Sequence, residues 1–158
     1  VERKNIAIQE LKNDSVIQLS PQLSITPFTV PHRDEYSETV GYLIDGPAKK
    51  ALFIPDIDKW QKWERSIVEE IKKVDYAFLD ATFYSGEEIG HRDISQIPHP
   101  FVIESMDLFS ELSESEKAKI HFIHFNHTNP VLNPESVEYQ QVIKNGFSVS
   151  QYLQKIEL

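Results

Sequence analysis

Residues 119–130 read KIHFIHFNHTNP, which places His121, His124 and His127 at intervals of three in a largely apolar run. Imidazole carries protons near neutral pH and ligates borderline metals, so the question is which other groups could work with these rings. Three successive apolar runs end in a polar group able to bind a cation or move a proton. ALFIP ends at Asp56, YAFL at Asp80 and IHFI at His124. His99, in IPHPF, lies between the last two runs, and His32, in VPHRDEYSETVGY, precedes another apolar run. Carboxylate and imidazole without thiolate suit zinc, manganese or iron(II). Such a centre makes hydroxide from water or polarises a phosphoryl or acyl group.

Each residue also has a plainer reading. Asp56 and Asp80 both fit turn or helix-capping carboxylates. On a strand's period of two, His121 faces the same way as Ile123 and is expected to be a satisfied or half-exposed histidine. His124 ends the strand and is the better ligand candidate. His127 sits in the turn and is open between ligand, proton carrier and surface residue, while His91 reads as surface. A catalytic zinc normally takes three protein ligands and a water. The chain contains no H-x-H and no H-E-x-x-H to complete that set. Taken alone, the residues give half a metal site.

The elements that must position these groups follow from periodicity. IAIQEL, VIQLS and LSITPFTV are short β-rich runs, and TVGYLIDG–PAKK–ALFI reads as a hairpin. In WQKWERSIVEEIKKV the apolar residues Trp60, Trp63, Ile67, Val68 and Ile71 make one stripe of a single amphipathic helix, with Asp58 placed to cap it. YAFLDATFY is a strand ending near Asp80, followed by an irregular loop and a helix over FVIESMDLFSEL. SESEKAK connects to the strand IHFIHF. PESVEYQQVIKNG is a short helix closed by Gly146, and FSVSQYLQKIEL ends the chain as a strand or a strand and helix. Strands alternating with helices imply a layered α/β arrangement. The low polar alternation of ALFI, YAFL and IHFI says they are covered on at least one face.

The 158 residues suffice for one domain with a real core, or for part of a larger one. The formal charge of −9 and scattered lysines argue against nucleic acid as a partner. With no cysteine, disulfides, thiolate metal sites and a Cys nucleophile are excluded. No apolar stretch approaches the ~18 residues of a spanning helix, so no membrane partner is expected. The opening VERKNIAIQEL does not read as a signal peptide and reads as the middle of a longer chain; the compartment stays open.

VPHRDEYSETVGYLIDG, LFIPDIDKW, VDYAFLDATFY, IPHPFV and IHFIHFNHTNP occur in an order that resembles the metallo-β-lactamase superfamily, in the branch of pyrroloquinoline quinone biosynthesis protein B (PqqB) and its hydrolase-like kin. The resemblance runs over about residues 25–135. It implies half of an αββα sandwich, a mixed sheet with helices on one face. Residues 1–158 would then be a single domain or the C-terminal half of a larger fold. It implies that Asp56 is the bridging carboxylate and that His124 is the last histidine ligand; His127 is a further candidate metal ligand from its place in the turn, not from the resemblance. Many relatives carry Asn at the position of His127, so its role stays open. Asp80 matches the acidic member of an H-E-A-T segment whose His is replaced here by Leu79. His99 matches a loop histidine near substrate. Asp80, His99 and His32 are thus implied to orient substrate or shuttle a proton.

The family's H-x-H-x-D-H segment is absent from this chain. The resemblance therefore implies one or two divalent ions, zinc first and manganese or iron as alternatives, in a longer protein. That protein would be a metal-dependent hydrolase, with metal-bound hydroxide attacking a phosphodiester or ester in a small-molecule substrate. The alternative is a PqqB-like cofactor-biosynthesis or carrier protein with a degenerate metal site. The expected partner is the missing N-terminal half of the fold or a second copy, and the isolated piece is expected to be inactive.

Overall fold

The computed structural model describes residues 7, 9–90 and 93–158. Ile6 and Ile8 of IAIQEL, and His91, lie outside them, and residues 7 and 9–11 of that expected β-rich run form no strand. One seven-stranded sheet organises the described residues, with strands in sequence order β1 to β7. The strands are β1 (Ile17–Ser20), β2 (Leu23–Val30), β3 (Thr39–Asp45), β4 (Lys50–Ile54), β5 (Tyr76–Asp80), β6 (Ile120–Ile123) and β7 (Ser148–Val149). β1 to β4 run antiparallel to their neighbours, and β4 to β7 run parallel. The β3–β4 hairpin expected from TVGYLIDG–PAKK–ALFI is present, closed by Gly46 N–H donating to Lys49 O at 2.9 Å.

The parallel strands are joined by helical crossovers, as parallel pairing requires. The helices are α1 (Ile67–Lys72), α2 (Val102–Leu108), α3 (Glu114–Lys117) and α4 (Val137–Lys144). Ile67 and Ile71 of α1, Val102 and Phe109 at α2 and Val142 of α4 form one core with Leu52, Ile54, Ala77, Leu79, Ile120 and Phe122. These strand residues alternate along β4, β5 and β6, so they belong to one face of the sheet. The opposite face carries Tyr42, Phe53, Phe78 and Ile123, all half-buried.

The single helix expected over 60–74 is instead two pieces. Trp60–Lys62 forms a 3-10 turn, and α1 starts afresh at Ile67 because Ser66 caps it, its side chain accepting from Glu69 N–H. Asp58 accepts from the adjacent Lys59 N–H at 2.7 Å and caps nothing further along. Trp60 and Trp63 still face the core, so the apolar stripe survives the break. SESEKAK contains α3, capped by Ser113. After β7 the described chain forms no helix. Among the described residues, no helix is long and apolar enough to cross a membrane.

Candidate metal centre

The polar groups gather at the carboxyl edge of the parallel strands, where strands hand over to loops. Asp56 lies two residues past β4, Asp80 closes β5 and His124 directly follows β6. β2 runs in the same direction as β4, with β3 antiparallel between them, so His32, two residues past Val30, emerges on the same edge. His99 enters from the β5–β6 connection, between Pro98 and Pro100.

Backbone hydrogen bonds hold these loops together. Asp58 N–H donates to Pro31 O at 2.7 Å, tying the loop after β4 to that after β2. Ala81 N–H donates to Ile123 O and Asn126 N–H to Thr82 O, both at 2.9 Å. Buried Asn129 donates its amide to Ala81 O at 2.9 Å. Val102 N–H bonds Phe83 O at 3.0 Å, which brings the His99 loop back over the end of β5. His124 itself takes φ = 63°, the left-handed region that non-glycine residues seldom occupy. Such backbone strain concentrates at functional sites.

One candidate ligand atom from each of Asp56, Asp80, His99 and His124 lies within 4.8 Å of the others. Asp80 is the floor of this group, with no exposed surface. Its Oδ1 accepts from Thr82 N–H (2.9 Å) and Thr82 Oγ1 (2.7 Å). Its Oδ2 accepts from Ile57 N–H at 3.1 Å and lies 2.8 Å from His99 Nδ1. Burial pushes the Asp80 carboxyl up, but the contacts of His124, His99 and Thr82 outweigh it and hold it below the usual carboxylate value. His124 Nδ1 is 3.1 Å from Thr82 Oγ1 and 3.5 Å from Asp80 Oδ1. The hydrogen bond to Asp80 raises the His124 pKa, against the opposing effect of partial burial.

Asp56 and His124 are the solvent-facing members, their side chains 34% and 44% exposed. His99 Nδ1 stands 3.4 Å from Asp56 Oδ1, and the His32 and His99 ring centroids are 5.3 Å apart. His32 Nε2 and Asp56 Oδ1 face each other at 3.1 Å. Both atoms are buried, yet among the described residues neither has a hydrogen-bond partner. Two buried polar atoms left unsatisfied side by side are costly, and a shared cation is one way to satisfy both. The donor set, imidazole plus carboxylate, suits a divalent ion of the zinc type.

The structure thus brings together Asp56, Asp80, His99, His124 and, beside them, His32. His127 does not join them: it is exposed at the tip of the turn that Asn126 and Asn129 pin to the end of β5. His121 faces away from the edge, buried against Phe78 at 5.2 Å between ring centroids. Thr82 and Asn129 are the site residues that sequence reading missed. The signal for Thr82 is D-x-T at a strand end, where a hydroxyl two residues on can return to the carboxylate.

A mixed sheet with helices on one face and an edge of histidines and aspartates defines an α/β fold of the metallo-β-lactamase class. The profile of the beta-lactamase superfamily domain matches residues 1–122, and the chain belongs to that family. Among curated relatives it is 28% identical over 142 residues to coenzyme PQQ synthesis protein B of Nitrosococcus oceani, spanning 82% of this chain and 44% of that protein. It is 26% identical over 160 residues to the Acinetobacter baumannii protein of the same name, spanning 96% and 52%. The chain spans about half the length of the curated relatives it matches. A crystal structure of zinc-bound PqqB from Methylobacterium extorquens superposes with a TM-score of 0.75 at 23% identity, over 95% of this chain and 52% of that one. The metallo-β-lactamase fold protein YhfI of Bacillus subtilis gives 0.55 at 13%, over 89% and 50%.

Proposed function

We propose that this chain is the C-terminal, cation-binding half of a PqqB-like protein that acts in making a quinone cofactor from a small-molecule precursor. The observation that carries the reading is the convergence of Asp56, Asp80, His99 and His124 within 4.8 Å, beside the unsatisfied pair His32 Nε2 and Asp56 Oδ1. The names of the curated relatives favour this role over a general hydrolase. The zinc bound by the PqqB of M. extorquens makes zinc the first candidate ion.

In this reading Asp56, His99 and His124 hold the ion, with His32 joining them or holding a proton beside Asp56. His127 has no part. A bound divalent ion supplies Lewis acidity at the solvent-facing side of the cluster. Asp56 and His124, the exposed members, meet the substrate side, and Phe83, whose ring centroid is 6.2 Å from that of His99, walls the site. The other half of the parent protein packs on the sheet face bearing Tyr42, Phe53, Phe78 and Ile123, which this chain by itself leaves only half-buried.

The hydrolase reading uses the same ion and differs in the reaction. The test is complementation: the full-length gene, expressed in a strain lacking coenzyme PQQ synthesis protein B, restores PQQ formation, and Asp56→Ala abolishes it. Failure of the full-length gene to restore PQQ, with phosphodiester or ester hydrolysis by the purified protein, supports the hydrolase reading instead.

A further inference from the structure

We infer that Asp80 and Thr82 are positioning residues that lock His99 and His124 as their Nδ1–H tautomers, leaving Nε2 of each as the free lone pair. The inference deepens the cation reading above and assigns Asp80 to the hydrogen-bonded layer beneath the ligands rather than to the ligand set.

Counting donors and acceptors carries the argument. A carboxylate only accepts, and a hydroxyl has a single proton to give. Thr82 Oγ1 donates to Asp80 Oδ1 at 2.7 Å, and the backbone N–H of Thr82 donates to the same oxygen at 2.9 Å. That uses the only hydroxyl proton. The contact of Thr82 Oγ1 with His124 Nδ1 at 3.1 Å is then one in which the ring donates. On the other oxygen, Ile57 N–H donates to Oδ2 at 3.1 Å. His99 Nδ1 lies 2.8 Å from that oxygen and 3.2 Å from Thr82 Oγ1, both of which can only accept from it. Both rings therefore carry hydrogen on Nδ1. In a neutral imidazole the lone pair is then on Nε2.

Asp80 is fully buried and its two oxygens already meet four donors. A carboxylate so engaged has little capacity left to ligate a cation. Asp56, by contrast, has an oxygen without a hydrogen bond. Ligating histidines commonly donate their second N–H to a carboxylate or other acceptor, which fixes the tautomer and the ring orientation. Here one carboxylate serves two rings: His99 directly at 2.8 Å, and His124 chiefly through Thr82 Oγ1 at 3.1 Å, with a longer contact of 3.5 Å to Asp80 Oδ1 itself.

The test needs no metal. Long-range 1H–15N spectra of the metal-free chain, recorded above the imidazole titration range, report which ring nitrogen carries hydrogen. The wild type and Thr82→Ser show Nδ1–H for His99 and His124. In Thr82→Val the hydroxyl is lost at little cost in volume, and His124 shifts towards Nε2–H. Nε2–H in the wild type, or an unchanged His124 tautomer in Thr82→Val, overturns the proposal. A chelator competition separates this outcome from the cation reading: zinc affinity falls about 10- to 100-fold in Thr82→Val and stays close to wild type in Thr82→Ser. Absence of zinc binding in the wild type with the tautomers as stated overturns the cation reading and leaves the positioning role standing.

Discussion

His121 and His124 leave the same strand three residues apart and enter opposite surroundings. His121 projects from the middle of β6 onto the far face of the sheet. There it stacks on Phe78, tilts against Tyr76 at 6.0 Å, and keeps a buried Nδ1 with no hydrogen bond. His124 leaves the carboxyl end of the strand with a left-handed backbone and meets Thr82, Asp80 and His99. The same side chain is thus a packing residue in one place and part of a polar network in the other. What separates them is the edge: within the sheet neighbouring side chains are apolar rings, whereas beyond it the loops bring their own acids and imidazoles.

Removing the centre of the polar network has the largest effect. Asp80→Ala leaves two backbone N–H groups, the Thr82 hydroxyl and His99 without their acceptor and destabilises the fold by ~3–5 kcal/mol, read by denaturant unfolding. A loss under about 1 kcal/mol would mean that Asp80 is not the organising group of the edge. At His121 the matching change goes the other way. His121→Phe removes an unpaired buried nitrogen and keeps an aromatic against Phe78, so stability rises by up to about 1 kcal/mol and zinc affinity is unchanged. A fall in zinc affinity in that variant would erase the distinction between the two regions.

The smallest effect is in the pH dependence, where the two rings have opposite signs. Burial lowers the His121 pKa from 6.5, so the unfolded chain takes up the proton first and stability falls as pH drops below that value. For His124, whose pKa is raised above 6.5, the bond to Asp80 stabilises the fold below 6.5 and that gain is lost as pH rises through the raised value. Solvent exposure of His124 weakens the second effect. Unfolding curves between pH 5 and 8 should therefore flatten on the acid side in His121→Phe and on the neutral side in His124→Ala. Equal slopes in the two variants would contradict the assignment.

The edge was partly legible in the sequence because apolar runs mark where strands end, and Asp56, Asp80 and His124 each follow such a run. Their closeness to His99 and His32 was not, since loop closure across four strands brings those groups in. In the sequence His127 is open between ligand, proton carrier and surface residue; the turn is pinned by Asn126 and Asn129, and the ring between them stays outside the cluster. The sequence pattern also merged the turn at Trp60 with α1, because both bury their apolar residues against the same core; only the capping role of Ser66 separates them. α3 buries nothing, so hydrophobic periodicity is silent about it.

Equilibrium dialysis of the chain against zinc, followed by elemental analysis beside Asp56→Ala, tests the central claim most directly. The cluster predicts at least one zinc retained per wild-type chain and loss of that zinc in Asp56→Ala with folding intact. Equal zinc in the two proteins, or none in either, would contradict it.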